Sequence, residues 1–137
     1  MSGANDMQVA GSHYAAGYQH WDFVEEALCG LYMEGQITKY VSRWRKKNGI
    51  QDLKKALHFT EKLIELNYQP HRRLGLMLED LGMDTTGLVQ KFIMANELGN
   101  NESFVIRTVA AWRSAGDLGA VASHIRHMIE VYEPAMS

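Results

Sequence analysis

Residues 34–67 run EGQITKYVSRWRKKNGIQDLKKALHFTEKLIELN, and their apolar and charged positions follow a helical period. In the first half, four apolar residues are separated by three, one and three positions, the spacing of one helix face. These residues are Ile37, Tyr40, Val41 and Trp44. We therefore predict an amphipathic helix over residues 34–47, with this face turned toward the core.

The second half of the segment predicts a second helix, over residues 50–67. Asn48-Gly49 separates the two, and Gly49 is expected to end the first helix with a left-handed cap. Asp52 falls in the first turn of the second helix, where a carboxylate complements the positive end of the helix dipole. The inner face is expected to carry Leu53, Ala56, Leu57, Thr60 and Ile64. Because the connecting loop is short, the two helices should pack as an antiparallel hairpin.

The rest of the chain also favours helices, so we predict an all-α helical bundle built from antiparallel hairpins. The 137 residues are 46% hydrophobic, enough for one domain, residues 1–137, with a core of its own. Residues 1–20 are rich in Gly, Ala, Ser and Asn and are expected to form an extended arm. Further helices are predicted over residues 21–31, 71–81, 84–98, 102–115 and 117–133.

Residues 102–133 resemble a degenerate second copy of residues 34–68. With a three-residue deletion in the turn, Glu34 aligns with Glu102, Trp44 with Trp112, and Asp52 with Asp117. Four basic residues of the first copy are replaced: Arg43, Lys46, Lys47 and Lys55 become Ala111, Ser114, Ala115 and Ala120. Internal duplication and convergence of two amphipathic hairpins both explain this pattern. If the duplication is real, the first copy keeps the chemistry and the second is scaffold.

Charge and composition limit the function classes. The net charge of −2 argues against a protein that coats nucleic acid, so any anion site must be local. Cys29 is the single cysteine, which excludes an internal disulfide and predicts a reducing compartment. No run of 18 apolar residues and no signal-peptide pattern is present, so we expect no membrane partner and a cytoplasmic location.

The first helix also carries a basic stripe. Lys39, Arg43 and either Lys46 or Lys47 recur at spacings of three or four residues, next to the apolar face. Cations at this density repel one another. The planar guanidinium of arginine can bind a phosphate through two hydrogen bonds, and the lysine ammonium adds a compact positive charge. The pattern therefore predicts a phosphate site, and the alternative is a solvated helix face.

Other candidate residues lie outside the hairpin. Ser12-His13-Tyr14 could bind phosphate and stack on a base, although such residues are also common in surface loops. The ordinary phosphate-binding loop is absent, because no Gly-Lys dipeptide occurs. His124 and His127 are three residues apart on one helix, but no third metal ligand accompanies them.

These motifs together resemble a small bacteriophage family, the phage T7-type nucleoside monophosphate kinases, which lack a phosphate-binding loop. The resemblance covers residues 11–67 and rests on Gly11-Ser12-His13-Tyr14, Trp21-Asp22, Glu34-Gly35, Lys39-Tyr40, Arg43, Lys46, Gly49, Asp52-Leu53, Lys55-Ala56 and Phe59. Residues 70–137 contribute nothing to it.

The resemblance implies an enzyme that transfers a phosphoryl group from ATP, with Mg²⁺, to a deoxynucleoside monophosphate in the cytoplasm of the host cell. It implies catalytic roles for His13, Lys39, Arg43 and Asp52, with Asp52 as the magnesium ligand. The implied nucleotide contacts come from Ser12, His13, Tyr14, Lys39, Tyr40, Arg43, Lys46, Lys47 and Lys55. A homo-oligomer is also expected, because small helical units often complete their cores across an interface.

Two other functions fit the same residues. The first is a module that binds or sequesters a nucleotide without turnover, in one version to counter a host defence. The second is an all-α nucleoside triphosphate pyrophosphohydrolase, which uses paired acidic motifs on facing helices. Only Glu130 and Glu133 match such a motif, so this reading is ranked third.

Overall fold

A computed structural model describes residues 17–136 of the chain, with side chains to residue 134, and this part is all-α, as predicted. No strand occurs among these residues, and none of their helices has the length and apolar content needed to cross a bilayer. The helices are α1 (His20–Ala27), α2 (Tyr32–Arg43), α3 (Ile50–Leu66), a 3-10 turn (Pro70–Arg72), α4 (Leu74–Asp80), α5 (Thr86–Ala95), α6 (Asn100–Val109) and α7 (Ala115–Met136).

The first helix of the basic hairpin is shorter than predicted. It ends at Arg43, and residues 44–49 form a turn closed by a hydrogen bond from the Gly49 N–H to the Trp44 carbonyl, 2.9 Å long. Gly49 adopts a positive φ of 60°, as glycine readily does, but its ψ of −134° lies outside the left-handed helical region, so it is not the predicted left-handed helix cap. Consequently Lys46 and Lys47 do not continue the helical stripe of Lys39 and Arg43.

The predicted N-terminal arm does not extend to residue 20. Residues 1–16 lie outside the described part of the chain, whereas Tyr18 and Gln19 are buried and His20 already begins α1. The Tyr18 ring packs edge-on against the rings of Phe23 and Phe92, at centroid distances of 6.4 and 6.3 Å. Burial of aromatic surface therefore outweighs the small-residue composition that suggested an extended arm up to residue 20.

The core lies between two helix pairs, α2 with α3 and α6 with α7, and α3 packs against α7. The inner residues of α2 and α3 are fully buried, among them Ile37, Val41, Leu53 and Ala56. Both central tryptophans, Trp44 and Trp112, are 2% exposed. The apolar spacing of the hairpin thus identified most of the buried face, but Tyr40, Leu57 and Ile64, which were predicted to lie on it, are only partly buried at the edge of the core.

Two buried hydrogen bonds join the helix pairs reciprocally. The Trp44 Nε1–H donates to Glu102 Oε2 at 2.7 Å, and the Trp112 Nε1–H donates to Glu34 Oε2 at 2.8 Å. Glu34 and Glu102 are 3% and 2% exposed. Each buried carboxylate therefore accepts a hydrogen bond from an indole of the opposite pair, and Glu102 also accepts one from Arg45 Nε at 2.8 Å.

Other features of the two helix pairs also recur 68 residues apart, the separation of Glu34 and Glu102. Cys29 and Glu97, 68 residues apart, are non-glycine residues with positive φ, 53° and 54°, in the loops before α2 and α6. Three further pairs repeat at this spacing: the helix ends Ala27 and Ala95, the helix starts Tyr32 and Asn100, and the buried Glu34 and Glu102. The duplication itself stays a prediction, but the repeat supplies an internal comparison between equivalent positions.

Candidate functional site

Three cations surround the ring of Tyr40, on the outer side of the hairpin α2–α3. The distances to the ring centroid are 5.5 Å from Lys39 Nζ, 4.8 Å from Arg43 Cζ and 5.3 Å from Lys55 Nζ. On α3, the Phe59 ring lies nearly parallel to the Tyr40 ring, 8° between planes and 6.1 Å between centroids. We call Lys39, Tyr40, Arg43 and Lys55 the cation cluster.

Arg43 is held in the cluster by Asp52. Its Nε donates to Asp52 Oδ2 at 3.3 Å and its Nη2 to Oδ1 at 3.5 Å. Asp52 is fully buried, whereas the Arg43 side chain is 25% exposed, so the guanidinium spans the boundary between core and solvent. Asp52 Oδ2 also accepts the Asn48 backbone N–H at 3.2 Å, which ties this contact to the turn.

The cluster has more positive than negative charge. Lys39, Arg43 and Lys55 surround one ring, and Asp52 is the carboxylate that the described contacts place against them. At exposed positions the cation–π interaction of each cation with the ring is worth about 0.5–1 kcal/mol, but the cations also repel one another. A bound anion would relieve this repulsion, and phosphate oxygens match the donors present.

The structure brings together only part of the predicted site. Lys39, Tyr40, Arg43 and Lys55 meet in the cluster, whereas Lys46 and Lys47 lie exposed in the turn after α2. The early end of the helix is the physical reason. Ser12, His13 and Tyr14 lie outside the described residues, so their predicted contacts to nucleotide stay predictions.

Asp52 does not fit the predicted role of magnesium ligand. Its two oxygens face the Arg43 guanidinium and the Asn48 N–H, and no part of the side chain is exposed. A divalent cation bound there would have to displace a guanidinium at hydrogen-bonding distance. Within residues 17–136, no group of three or more His, Cys, Asp or Glu side chains is placed to hold a metal ion.

His20 is a neighbour of the cluster that the sequence analysis did not single out. Its Nε2 lies 2.9 Å from Thr38 Oγ1, within hydrogen-bonding distance, and Thr38 Oγ1 also lies 2.9 Å from the Glu34 carbonyl oxygen, to which the hydroxyl can donate. Burial, reinforced by the positive charges of Lys39 and Arg43, lowers the pKa of His20 to about 4. The imidazole is therefore neutral at physiological pH.

This pKa makes His20 a source of acid sensitivity. The folded state favours the neutral ring, so its stabilising contribution is complete above the ordinary pKa of 6.5 and is lost as pH falls through about 4. We expect the difference in unfolding free energy between wild type and His20→Leu to change by about 3 kcal/mol between pH 7.5 and pH 4. Urea unfolding measures it. His127→Leu, at an exposed position of α7, is the control for removal of a histidine as such.

Equivalent positions of the second helix pair show which residues the fold requires. Asp117 repeats the turn contact of Asp52, because its Oδ2 accepts the Arg113 N–H at 2.8 Å and the Ser114 N–H at 3.3 Å. The complete cluster is not repeated: Lys39 keeps a cation in Arg107, but Tyr40, Arg43, Lys55 and Phe59 correspond to Thr108, Ala111, Ala120 and His124. The turn carboxylate thus makes the same backbone contact in both halves, whereas the complete cation cluster occurs only in the first.

Comparison with known proteins identifies similarity in the same half. A family of unknown function, DUF3310, matches residues 9–61, which include α1, α2, most of α3 and every member of the cation cluster. No curated protein and no solved structure matches the chain. The similarity therefore coincides with the part of the chain that carries the cluster.

Proposed function

We propose that the chain binds a nucleotide at the cation cluster and transfers a phosphoryl group from ATP to a deoxynucleoside monophosphate. The observation that carries the proposal is the set of three cations around Tyr40, of which the equivalent half of the chain keeps only one, Arg107 in place of Lys39. Phosphoryl transfer depends on positioning and charge neutralisation more than on covalent chemistry. A preorganised cation cluster is suited to both tasks.

The residues have distinct roles in this proposal. Arg43, oriented by Asp52, presents one fixed guanidinium edge to a phosphate. Lys39 and Lys55 approach the Tyr40 ring from different helices and can follow the phosphate as its charge moves. Asp52 acts as a positioning residue through Arg43 and not as a magnesium ligand.

The second candidate is a non-catalytic nucleotide-binding module, for example one that sequesters a nucleotide to counter a host defence. The observation that favours it is the burial of Asp52, the cluster's carboxylate, which is fully paired and so poorly placed to accept a proton from substrate. The pyrophosphohydrolase reading is weaker, because Glu133 of the matching motif pairs with Lys54 at 2.7 Å on the surface.

One assay separates these functions. Purified protein is incubated with ATP, magnesium and each deoxynucleoside monophosphate, and the products are resolved by chromatography. Nucleoside diphosphate supports the kinase, pyrophosphate release supports the hydrolase, and binding without product supports the module. We expect Lys55→Ala to slow diphosphate formation about tenfold or more. Lys62→Ala, on the same helix but paired with Glu65, is the matched control and should react at the wild-type rate.

Two partner predictions belong to the same proposal. A homo-oligomer would cover apolar side chains that are exposed in the single chain, such as Trp21, Leu81 and Met94, at 52%, 62% and 68%. A location in the cytoplasm of a phage-infected host would supply ATP and deoxynucleoside monophosphates. Both stay predictions.

A further inference from the structure

Tyr32 extends the aromatic part of the cluster toward solvent. Its ring meets the Phe59 ring edge-on, with 6.1 Å between centroids and 76° between planes, and Phe59 in turn stacks on Tyr40. Tyr32 is 66% exposed, although it is the first residue of α2. The three rings form a row, which we call the aromatic row, that runs from solvent to the three cations.

The aromatic row is not needed to build the fold. At the equivalent positions of the second half, Tyr32, Tyr40 and Phe59 correspond to Asn100, Thr108 and His124, yet α6 begins at the matching residue and also packs on α7. A tyrosine that leaves two thirds of its surface in water contributes little to core burial. Its ring is therefore available to a ligand.

We infer that the aromatic row is the nucleobase platform of this site, with the base stacked against Tyr32 and Phe59 while the phosphate meets Lys39, Arg43 and Lys55. This inference rests on the proposed function. Aromatic faces bind bases by stacking, and two centroid steps of 6.1 Å separate the outermost ring from the ring that the cations surround. A nucleotide, with its base and phosphate at opposite ends of a sugar, has this same arrangement.

The platform also determines base preference. Stacking uses the π face that all bases share, so it tolerates different bases and favours those with more surface. The described residues of the row are rings rather than amides or carboxylates that could read base edges. We therefore expect the site to accept purine and pyrimidine deoxynucleoside monophosphates, with purines bound more tightly.

The experiment compares a nucleotide with its base-free analogue on the full chain. Calorimetry gives the affinity of wild type, Tyr32→Leu and Tyr32→Phe for a purine deoxynucleoside monophosphate, a pyrimidine one, and 2-deoxyribose 5-phosphate. We expect Tyr32→Leu to weaken both nucleotides about tenfold and Tyr32→Phe to bind them as wild type does. The affinity for 2-deoxyribose 5-phosphate should be the same in all three proteins. Phe104→Leu, at an exposed aromatic position of α6, is the matched control and should change nothing.

Each contrary result has a definite meaning. Unchanged nucleotide affinity in Tyr32→Leu, together with weaker binding of both ligand types by Lys55→Ala, overturns the platform and leaves the proposed function standing. Equal weakening of nucleotide and 2-deoxyribose 5-phosphate by Tyr32→Leu also overturns it, because Tyr32 would then act through the phosphate site. Failure of wild type to bind any nucleotide overturns the proposed function, and the platform with it.

Discussion

Replacement of Arg43 by alanine is expected to weaken nucleotide binding by about 1.5–3 kcal/mol, the scale of a hydrogen bond to a charged group. Arg43 is the cation closest to the Tyr40 ring, at 4.8 Å, and the only one of the three held by a carboxylate in the described contacts. Its guanidinium is thus already oriented before a phosphate arrives, and little ordering entropy is lost on binding. Calorimetry with a deoxynucleoside monophosphate measures the change.

The same substitution should also lower stability. Asp52 is fully buried, and without Arg43 its charge keeps only the Asn48 N–H as a partner. Removing one partner of a buried pair is costly, but Arg43 is a quarter exposed and water can enter, so we expect a loss of about 1–3 kcal/mol of unfolding free energy. Binding must therefore be measured well below the unfolding midpoint.

A double variant separates these two effects. In Arg43→Ala/Asp52→Asn the buried charge is gone, while the asparagine oxygen can still accept the Asn48 N–H, so most of the stability should return. The affinity should remain low. Arg113→Ala is the control. Arg113 lies in the second half of the chain, at the position equivalent to Arg45, and pairs with Glu79 on the surface, so its loss removes an arginine outside the cation cluster. Full nucleotide affinity in the double variant would show that Arg43 does not bind the phosphate, and most of the kinase proposal would fall with it.

The sequence predicted the site best where neighbouring residues determine it. Lys39 and Arg43 follow from helical spacing on α2, and Lys55 comes from the adjacent helix of a short hairpin. The same spacing put Tyr40 on the core face, and only the resemblance made it a candidate site residue. The predicted stripe failed at Lys46 and Lys47 because helix length depends on tertiary contacts. Arg45, just after α2, hydrogen-bonds Glu102 at 2.8 Å and packs over the Trp44 and Tyr132 rings, contacts that no local spacing contains.

The buried polar groups were the least predictable. A glutamate in the first turn of a helix is typical of a solvated end, so Glu34 and Glu102 gave no sign of burial. Their partners, Trp112 and Trp44, are distant in sequence. His20 was missed for a similar reason, since Thr38 becomes its neighbour only when α1 packs on α2. The alignment of the two halves was the one signal that could have linked the glutamates to the tryptophans.

The reciprocal glutamates should respond in opposite ways to the same substitution. Glu102 accepts both the Trp44 N–H and the Arg45 guanidinium, so Glu102→Gln gives up an ion pair and should cost about 1–3 kcal/mol of unfolding free energy. No ion pair to Glu34 occurs among the described residues, and burial raises the pKa of its carboxyl despite the opposing hydrogen bond from Trp112. Glu34→Gln keeps an acceptor for Trp112 and removes a buried charge, so it should stabilise the protein at pH 7.5.

The pH dependence of the Glu34 variant identifies the cause. The folded state binds the Glu34 proton more tightly than the unfolded chain, so the contribution of the Glu34 carboxyl to wild-type stability is complete below the ordinary pKa of 4.5 and is lost as pH rises through the folded value. The advantage of Glu34→Gln over wild type should therefore be present at pH 7.5 and disappear at pH 4. Urea unfolding of both variants at the two pH values measures it. Equal destabilisation by the two substitutions at pH 7.5 would contradict the burial of an unfavourable charge at Glu34.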